Sequence, residues 1–351
     1  MRVLAVDIGH GTTDVLVYDS ALPIENCPKL VFPSATRQAA ARIRAATAAG
    51  RHVAFEGVTM GGGPSGSAMR EHLRAGLGFY ASPAAALSFL DDLDELAGLG
   101  VSITDTPAVA AGESAVVIPS GDLDPDALLA ALAGLGIDTG FDGAAIAVQD
   151  HGFAPGESNR RFRFAMWETL LEDGGGIDRL AFSADAIPDR FTRMRAAASL
   201  ASGFGRVIVM DTGPSAIAGA LSQDITGISP RTRLVANAGN GHTLAALVTD
   251  GDITALVEHH TGMLDAVGFG EMVRGFLSGR LTNDDVFGAG GHGCLPPAQP
   301  VSLEESGPVL LTGPRRDRFR GCGLELEYAA PYGDMMLTGC FGLLGAWLRL
   351  A

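Results

Sequence analysis

Lysine is almost absent from this 351-residue sequence, because Lys29 is the only one. Any cation that contacts a phosphate elsewhere in the chain must therefore be an arginine or a metal ion. Cysteine is scarce too. The four cysteines, Cys27, Cys294, Cys322 and Cys340, are scattered and form no CxxC pair. This spacing excludes a disulfide scaffold and a zinc ribbon, and it indicates reduced thiols in the core.

Basic clusters and long apolar runs are also missing. The formal net charge of −15 argues against a nucleic-acid partner, because phosphate backbones are bound by clustered basic side chains. No apolar run reaches the roughly 18 residues that span a bilayer, and Met1-Arg2 leads at once into a strand-like run instead of a signal peptide. We expect a soluble, cytoplasmic protein that binds neither nucleic acid nor membrane; the sequence is compatible with a homodimer.

The length and the order of the elements indicate two α/β lobes. A chain of 351 residues exceeds the size at which one hydrophobic core stops growing. Helical segments near residues 34–50 and 125–135 alternate with apolar strand-like runs at residues 144–148 and 207–210. This alternation is typical of a mainly parallel sheet with helices on both faces.

Two glycine-rich loops share one design. Residues 3–18 form strand, turn and strand around the sequence DIGHGTT at residues 7–13, and residues 234–257 repeat this pattern around NAGNGHT at residues 237–243. Glycines accept φ > 0 and allow backbone amides to crowd around an anion. The repetition indicates an internal duplication with a phosphate-binding loop in each half. For either loop taken alone, a hairpin turn without a ligand is the alternative.

Five segments in a fixed order resemble the actin, heat-shock chaperone and sugar kinase superfamily, in which two duplicated ribonuclease-H-like lobes clamp a nucleotide. They look like its first phosphate motif, first connecting segment, second phosphate motif, adenosine motif and second connecting helix, at residues 7–13, 207–221, 237–243, 309–316 and 334–347. The resemblance implies an α/β, actin-like ATPase fold with a nucleotide cleft. It implies an N-terminal lobe at residues 1–205 with an insertion at about 55–200, and a C-terminal lobe at residues 206–351.

The same resemblance implies ATP and Mg²⁺ as ligands. Nucleotide contacts are expected from three loops, namely Gly9, His10, Gly11, Thr12 and Thr13; Gly239, Asn240, Gly241, His242 and Thr243; and Gly313 and Pro314. Asp7 is expected to hold Mg²⁺ through water, because that ion keeps most of its hydration shell, and Asp211 is the second water-mediated contact. Asn237 replaces a common aspartate and Pro314 a common glycine, so phosphate recognition is better supported than adenine recognition.

Asp211 is also the predicted catalytic residue. In the sugar kinases of this superfamily an aspartate at the matching position is the general base on the acceptor hydroxyl, and in the ATPases an acidic or amide residue there orients water. The alternative is that Asp211 only caps the following helix. Three functions follow: phosphotransfer from ATP to an unknown small-molecule hydroxyl, an ATPase that activates or reactivates a partner enzyme, or a non-catalytic binding module.

A narrower resemblance concerns residues 60–64, 149–152, 158–164 and 291–293, which look like an uncharacterised family often labelled pyruvate formate-lyase activating enzyme. A radical enzyme of that type needs three cysteines in a CxxxCxxC run to hold an iron–sulfur cluster. The four scattered cysteines supply no such run, so we exclude that activity.

Histidines and arginines outside the glycine loops allow two interpretations each. Imidazole, thiolate and carboxylate all bind zinc or iron, and the candidates are His259-His260, His292 with Cys294, and His151 next to Asp150. Adjacent strand residues face opposite sides and no HxxxH or HxH spacing occurs, so ordinary hydrogen-bonded histidines are the favoured interpretation. Arg160, Arg161 and Arg163 either hold an anionic substrate or form the solvated start of a helix.

Overall fold

The computed structural model describes residues 1–172, 176–222 and 231–350. The strands of this part of the chain are β1 (Arg2–Ile8), β2 (Thr12–Asp19), β3 (Lys29–Pro33), β4 (Val53–Gly57), β5 (Phe79–Ala81), β6 (Val101–Ile103), β7 (Val116–Ser120), β8 (Gly143–Val148), β9 (Ala181–Ser183), β10 (Arg206–Met210), β11 (Thr232–Ala238), β12 (His242–Thr249), β13 (Asp252–His260), β14 (Gly293–Leu295), β15 (Val309–Thr312) and β16 (Leu326–Tyr328). The α-helices are α1 (Ala35–Ala48), α2 (Gly63–Arg74), α3 (Pro83–Ala86), α4 (Leu93–Gly98), α5 (Pro107–Ala111), α6 (Pro125–Gly134), α7 (Asn159–Leu171), α8 (Thr192–Leu200), α9 (Thr212–Leu221), α10 (Ala266–Leu277), α11 (Asn283–Gly288), α12 (Leu303–Ser306) and α13 (Thr338–Leu350).

Two six-stranded sheets share a five-stranded core of the same topology, and their sixth strands lie at different edges: β9 pairs antiparallel with β10, and β14 pairs antiparallel with β13. The first has the order β3-β2-β1-β8-β10-β9 and the second the order β14-β13-β12-β11-β15-β16. In each, an antiparallel meander of three strands is followed by two strands that add in parallel on the other side of the first strand. This is the ribonuclease-H-like arrangement, and its repetition confirms the expected fold of two duplicated α/β lobes.

The strands of both sheets are apolar because both faces are covered. Residues 144–148 of β8 and 207–210 of β10 are buried throughout, as expected for parallel strands between layers of helices. Because β10 pairs with β8 in the first sheet, we propose that the first lobe continues through residue 210, a few residues beyond the boundary expected at residues 205 and 206.

The insertion forms a third sheet. Strands β4 to β7 make a parallel four-stranded sheet in the order β6-β5-β4-β7, with its own core around Phe55, Phe79 and Met69. The chain then returns through α6 to β8 in the centre of the first sheet. We therefore propose that the insertion proper ends before α6, earlier than the expected limit near residue 200.

Helices α9 and α13 cross between the two large sheets. Helix α13 contacts β1, β2 and β8 of the first sheet, and α9 contacts β11, β12 and β15 of the second. Small residues permit their close approach: a Cβ at Gly219 would lie 1.7 Å from the Thr338 carbonyl oxygen, and one at Gly342 would lie 1.9 Å from the Ser215 carbonyl oxygen. These helices correspond to the two connecting segments in the sequence. No helix in the described part of the chain is long and apolar enough to cross a bilayer.

Candidate functional site

Both glycine loops and the expected adenosine segment line one cavity of about 690 Å³. The residues of the three predicted loops that line it are Gly9, His10, Thr12, Gly239, Asn240, Gly241, His242, Gly313 and Pro314. Gly11, Thr13, Thr243 and Asp211 do not line it. The volume lies within the range of about 300–1,000 Å³ that small-molecule sites occupy.

The two loops have matching backbone geometry. The amide of Gly9 donates to the Thr12 carbonyl oxygen at 2.9 Å, and the amide of Gly239 donates to the His242 carbonyl oxygen at 2.9 Å. Each loop is thereby closed by the same hydrogen bond at the same place in its hairpin. The duplication thus extends from the sheets to the turns.

The loops also approach each other across the cavity. A Cβ at Gly11 would lie 2.4 Å from Nδ2 of Asn240 in the other loop, and one at Gly241 would lie 3.3 Å from Cβ of His10. Gly11 and Gly241 therefore let the two loops pack closely against each other, because a side chain at either position would collide with the opposite loop.

Two carboxylates face the cavity beside the first loop. Asp7 and Asp14 are opposite each other in the β1–β2 register, both line the cavity, and the buried Oδ1 of each lacks a hydrogen-bond partner in the described part of the chain. Burial, followed by the nearby Asp14 carboxylate, raises the pKa of Asp7 well above its ordinary value. Burial raises the pKa of Asp14 to about 7.

This pair fits a hydrated Mg²⁺ ion, because the ion prefers one or two carboxylates and would relieve the repulsion between them. The sequence suggested Asp7 as a contact for the ion, which stays a prediction, and did not suggest Asp14. The available signal was the hairpin itself, because Asp7 and Asp14 bracket its turn and face each other across the strands.

Each carboxylate oxygen of Asp211 accepts two hydrogen bonds. Its Oδ1 accepts from Gly213 N at 3.1 Å and Arg163 Nη2 at 3.0 Å, and its Oδ2 accepts from Asp150 N at 3.1 Å and Arg163 Nη1 at 2.5 Å. Only 1% of Asp211 is exposed. This geometry favours the capping interpretation of Asp211, and its role as a general base or as a metal contact stays a prediction.

Arg163 is wholly buried and neither solvated nor open to a substrate. Besides Asp211, its guanidinium contacts the Asp150 carbonyl oxygen at 2.9 Å and Glu258 at 3.3 Å, and it stacks on Trp167 at 4.1 Å from the ring centroid. Burial raises the pKa of Glu258 to about 7, although Arg163 opposes this shift. Since Arg163 lies on α7 and Glu258 on β13 of the second sheet, this cluster ties the two lobes together beneath the cavity.

The neighbouring arginines have other partners. Arg160 Nη1 donates to the Gly291 carbonyl oxygen at 2.6 Å, and Arg161 pairs with Asp284 at 2.8 Å. Both guanidinium groups also lie over the Phe287 ring. The three arginines therefore join α7 to the second lobe, an interpretation that the sequence alone did not suggest.

The end of the cavity near Gly313 is narrow and partly apolar. Gly313 has φ +97°, and a Cβ there would lie 2.4 Å from the Ala238 carbonyl oxygen and 2.5 Å from Asn237 Oδ1. The turn therefore requires glycine. Pro314, Met335 and Met336 line this end of the cavity. An aromatic base would fit such a lining better than a charged group.

Four histidine rings lie close together beside the second glycine loop, to which His242 belongs. Ring nitrogens of His151, His242 and His292 all lie within 4.8 Å of one another, and His260 packs with its ring centroid 4.7 Å from that of His292. Burial, followed by nearby positive charge, lowers the pKa of His151 to about 3. Burial and the adjacent histidines lower the pKa of His242 and His292 as well.

Two of the suggested metal ligands are absent from this group. Cys294 Sγ donates to the Leu281 carbonyl oxygen at 3.4 Å, and His259 faces the other side of β13, where its Cδ2 packs against Gly291. The alternation of strand residues correctly separated His259 from His260. It could not reveal that His260 packs against the rings of His242 and His292 from two other segments, because that depends on tertiary contacts.

The duplicated sheets, the crossing helices and the shared cavity define a protein of the actin-like ATPase fold. Within that class, the chain belongs to the family described as "Putative pyruvate format-lyase activating enzyme (DUF1786)", whose model matches residues 60–318. No curated protein is significantly similar to the sequence.

Several solved structures are distantly similar. An inorganic polyphosphate/ATP-glucomannokinase from Arthrobacter sp. strain KM is 13% identical, with 99% of each chain covered and a TM-score of 0.36. The ethanolamine utilization protein EutJ from Carboxydothermus hydrogenoformans is 11% identical over 98% of this chain and 89% of that chain, with a TM-score of 0.29. MreB 5 of Spiroplasma citri, bound to AMPPNP, is 15% identical over 58% of this chain and 78% of that chain, with a TM-score of 0.27.

The residues do not fit the iron–sulfur chemistry of a radical activating enzyme. All four cysteines are buried free thiols, and among the residues that the structure describes none joins a group of side chains able to share a metal ion. Cys340, for example, packs in α13 against the Asp14 carbonyl oxygen at 3.1 Å. The cysteines of this chain therefore do not fit the activity that the family description names.

Proposed function

We propose that this protein binds a magnesium nucleotide between its lobes and transfers the terminal phosphoryl group to a small-molecule hydroxyl. One observation carries the proposal: two glycine loops closed by the same hydrogen bond line a single cavity, beside a carboxylate pair whose Oδ1 atoms have no partner among the described residues. Phosphate-binding amides and a site for the counter-ion are therefore adjacent.

Each part of the site has a role that its own chemistry supports. Amides of the two loops would hold the phosphates, as backbone nests do for anions. Asp7 and Asp14 would hold Mg²⁺ through water, and that ion, when bound, offsets phosphate charge. Arg163 holds Asp211, which caps α9 and so fixes the floor of the cavity. Gly313 and Pro314 would line the part of the cavity that holds the nucleotide base.

Space for an acceptor supports transfer over simple hydrolysis. The cavity continues past the loops to the insertion, where Gly61, Ser88 and Asp91 line it, and to Arg193 at the start of α8. Arg193 is itself held by Asp122 at 2.6 and 2.8 Å, so this wall is rigid. A small hydroxyl compound bound there would lie beside the phosphate loops.

Calorimetry with Mg-ATP and Mg-ADP is the direct test. We expect submillimolar binding that requires Mg²⁺ and that falls at least about tenfold, or 1.4 kcal/mol, in Asp7→Asn and in Asp14→Asn. Asp19→Asn is the matched control, because Asp19 lies at the far end of β2 and pairs with Arg2. Absence of binding to the wild-type protein would refute the proposal, as would equal binding by all three variants.

An ATPase that acts on a partner enzyme is the second candidate. The observation that favours it is the saturation of Asp211 by four N–H donors, which opposes deprotonation of an acceptor hydroxyl by this carboxylate. Phosphate release without any small-molecule acceptor would support this candidate. If Asp211 is the general base of a transfer reaction, Asp211→Asn should keep nucleotide binding and abolish turnover; full activity in that variant would exclude Asp211 as the base.

A further inference from the structure

We propose that His151, His242 and His292 form a binding site for Zn²⁺ at the junction of the two lobes. The proposal is independent of the nucleotide. It follows from the convergence of ring nitrogens that come from three distant segments and lie within 4.8 Å of one another.

Each ligand is placed by a different element. His151 follows β8 of the first sheet, His242 begins β12 directly after the second glycine loop, and His292 precedes β14 at the edge of the second sheet. Ring centroids lie 4.4 Å apart for His242 and His292 and 5.1 Å apart for His151 and His292. In a tetrahedral site with Zn–N bonds of about 2.0–2.1 Å, ligand atoms are about 3.3–3.4 Å apart. Small ring movements therefore complete the coordination.

His292 supplies the second, independent observation. It is 1% exposed, and both ring nitrogens lack a hydrogen-bond partner among the described residues. Leaving buried polar atoms without partners is unfavourable. A metal ion on Nε2 satisfies one of them.

Glu258 is positioned to satisfy the other. Its Oε2 lies 3.4 Å from His292 Nδ1, and the carboxylate is held in turn by Arg163. Histidine ligands of zinc commonly direct the second ring nitrogen at a carboxylate, which fixes the ring and its tautomer. The chain therefore offers the ligand and the group that orients it.

His260 packs beside the three proposed ligands. Its ring centroid lies 4.9 Å from that of His242 and 4.7 Å from that of His292, and it lines the same cavity. A set of imidazoles without thiolate is suited to zinc and to neighbouring transition metals, whereas Mg²⁺ prefers oxygen ligands. This site is therefore chemically distinct from the Asp7 and Asp14 pair.

The comparison with His72 shows what an ordinary buried histidine looks like in this protein. His72 is also fully buried, yet its Nδ1 lies 2.8 Å from Thr47 Oγ1 and its Nε2 lies 3.1 Å from the Gly78 carbonyl oxygen. Both of its nitrogens are used within the fold. In the cluster, by contrast, neither ring nitrogen of His292 has a hydrogen-bond partner among the described residues, and a cation between the rings would bind one of them.

The test is metal binding by the full-length protein. After removal of metal with a chelator, the wild-type chain should bind one Zn²⁺, and Co²⁺ should bind in its place with the visible absorption of a tetrahedral site. His242→Asn and His292→Asn should each abolish stoichiometric binding. Glu258→Gln should lower zinc affinity about 10–100-fold, as expected for a group that orients a ligand.

His52→Asn and His259→Asn are matched controls, because each removes one histidine outside the cluster. Circular dichroism identifies any variant that fails to fold, and the wild-type titration then decides. Failure of wild-type protein to bind Zn²⁺ or Co²⁺ in the metal-free state would overturn the proposal, and so would an equal loss in the controls. Nucleotide binding measured on His292→Asn, whose residue lies outside the glycine loops, keeps this result separate from the proposed function.

Discussion

The buried charge of Arg163 is balanced by two buried carboxylates. It is buried between Asp211 and Glu258 and has no contact with solvent. Arg163→Met leaves two buried carboxylates without their counter-charge, and breaking such a pair costs about 3–5 kcal/mol. We expect a loss of that order in the free energy of unfolding, measured by urea denaturation.

Arg161→Met is the matched control two residues earlier. Arg161 pairs with Asp284 at the surface, where the two side chains are 49% and 79% exposed, so water and salt screen the interaction. We expect a much smaller loss. Equal destabilisation of the two variants would show that the buried charges of Asp211 and Glu258 do not depend on Arg163.

At the scale of elements, the crossing of α9 and α13 depends on glycine. Any Cβ at Gly342 would overlap the Ser215 carbonyl oxygen, a backbone atom that cannot move without displacing α9. Gly342→Ala should therefore destabilise the protein by about 1–3 kcal/mol or more, as overpacking does. Thermal unfolding measures the effect.

Gly345→Ala provides the comparison within the same helix. A Cβ there meets only the flexible end of Arg349, at 3.5 Å, and alanine is favoured over glycine in a helix by up to about 1 kcal/mol. We expect unchanged or slightly raised stability. Similar losses at the two positions would mean that helix propensity, and not the close crossing, governs this region.

The insertion should lose stability in acid because of His72. Burial lowers the pKa of His72 below its ordinary value of 6.5, so the unfolded state takes up the proton first as pH falls. The contribution of His72 is present above pH 6.5 and is lost progressively as pH falls below it. His72 contacts Thr47, the Gly78 carbonyl group and the Phe79 ring, and His52 is the nearby titratable group.

Melting temperatures at neutral and mildly acidic pH test this expectation. The decrease on acidification should be smaller in His72→Gln than in the wild type, whereas His52→Gln should retain most of it. An unchanged decrease in His72→Gln would assign the acid sensitivity to other groups.

At the scale of the whole molecule, a ligand in the cleft contacts both lobes and should stabilise them together. A ligand that binds only the folded state at 100 times its dissociation constant adds about 2.7 kcal/mol to the free energy of unfolding. We expect the protein to melt in one cooperative transition and Mg-ADP to raise its melting temperature, measured by calorimetry. If the lobes melt in two separate transitions and Mg-ADP raises the temperature of only one, binding between the lobes is contradicted.

The sequence predicted most of the fold and part of the site. The two hairpins, α1, α6, α7 and β8 follow from hydrophobic period and turn residues, which act between neighbours in the chain. The apolar, alanine-rich segment that begins at Pro83 forms the two short helices α3 and α4, because Asp92 caps α4 by accepting from the amides of Asp94 and Glu95. Local pattern could not distinguish one helix from two.

The sequence by itself determined the pair of strand–loop–strand units. Glycine content and apolar alternation are local properties of the chain, and their repetition can be seen in the sequence without the structure. Tertiary structure alone decided which polar side chains meet. Asp14 opposite Asp7, Arg163 beneath Asp211, and the histidine cluster depend on how sheets and helices pack. The physical reason is distance along the chain: His151, His242 and His292 are brought together only when both lobes have folded and closed on each other.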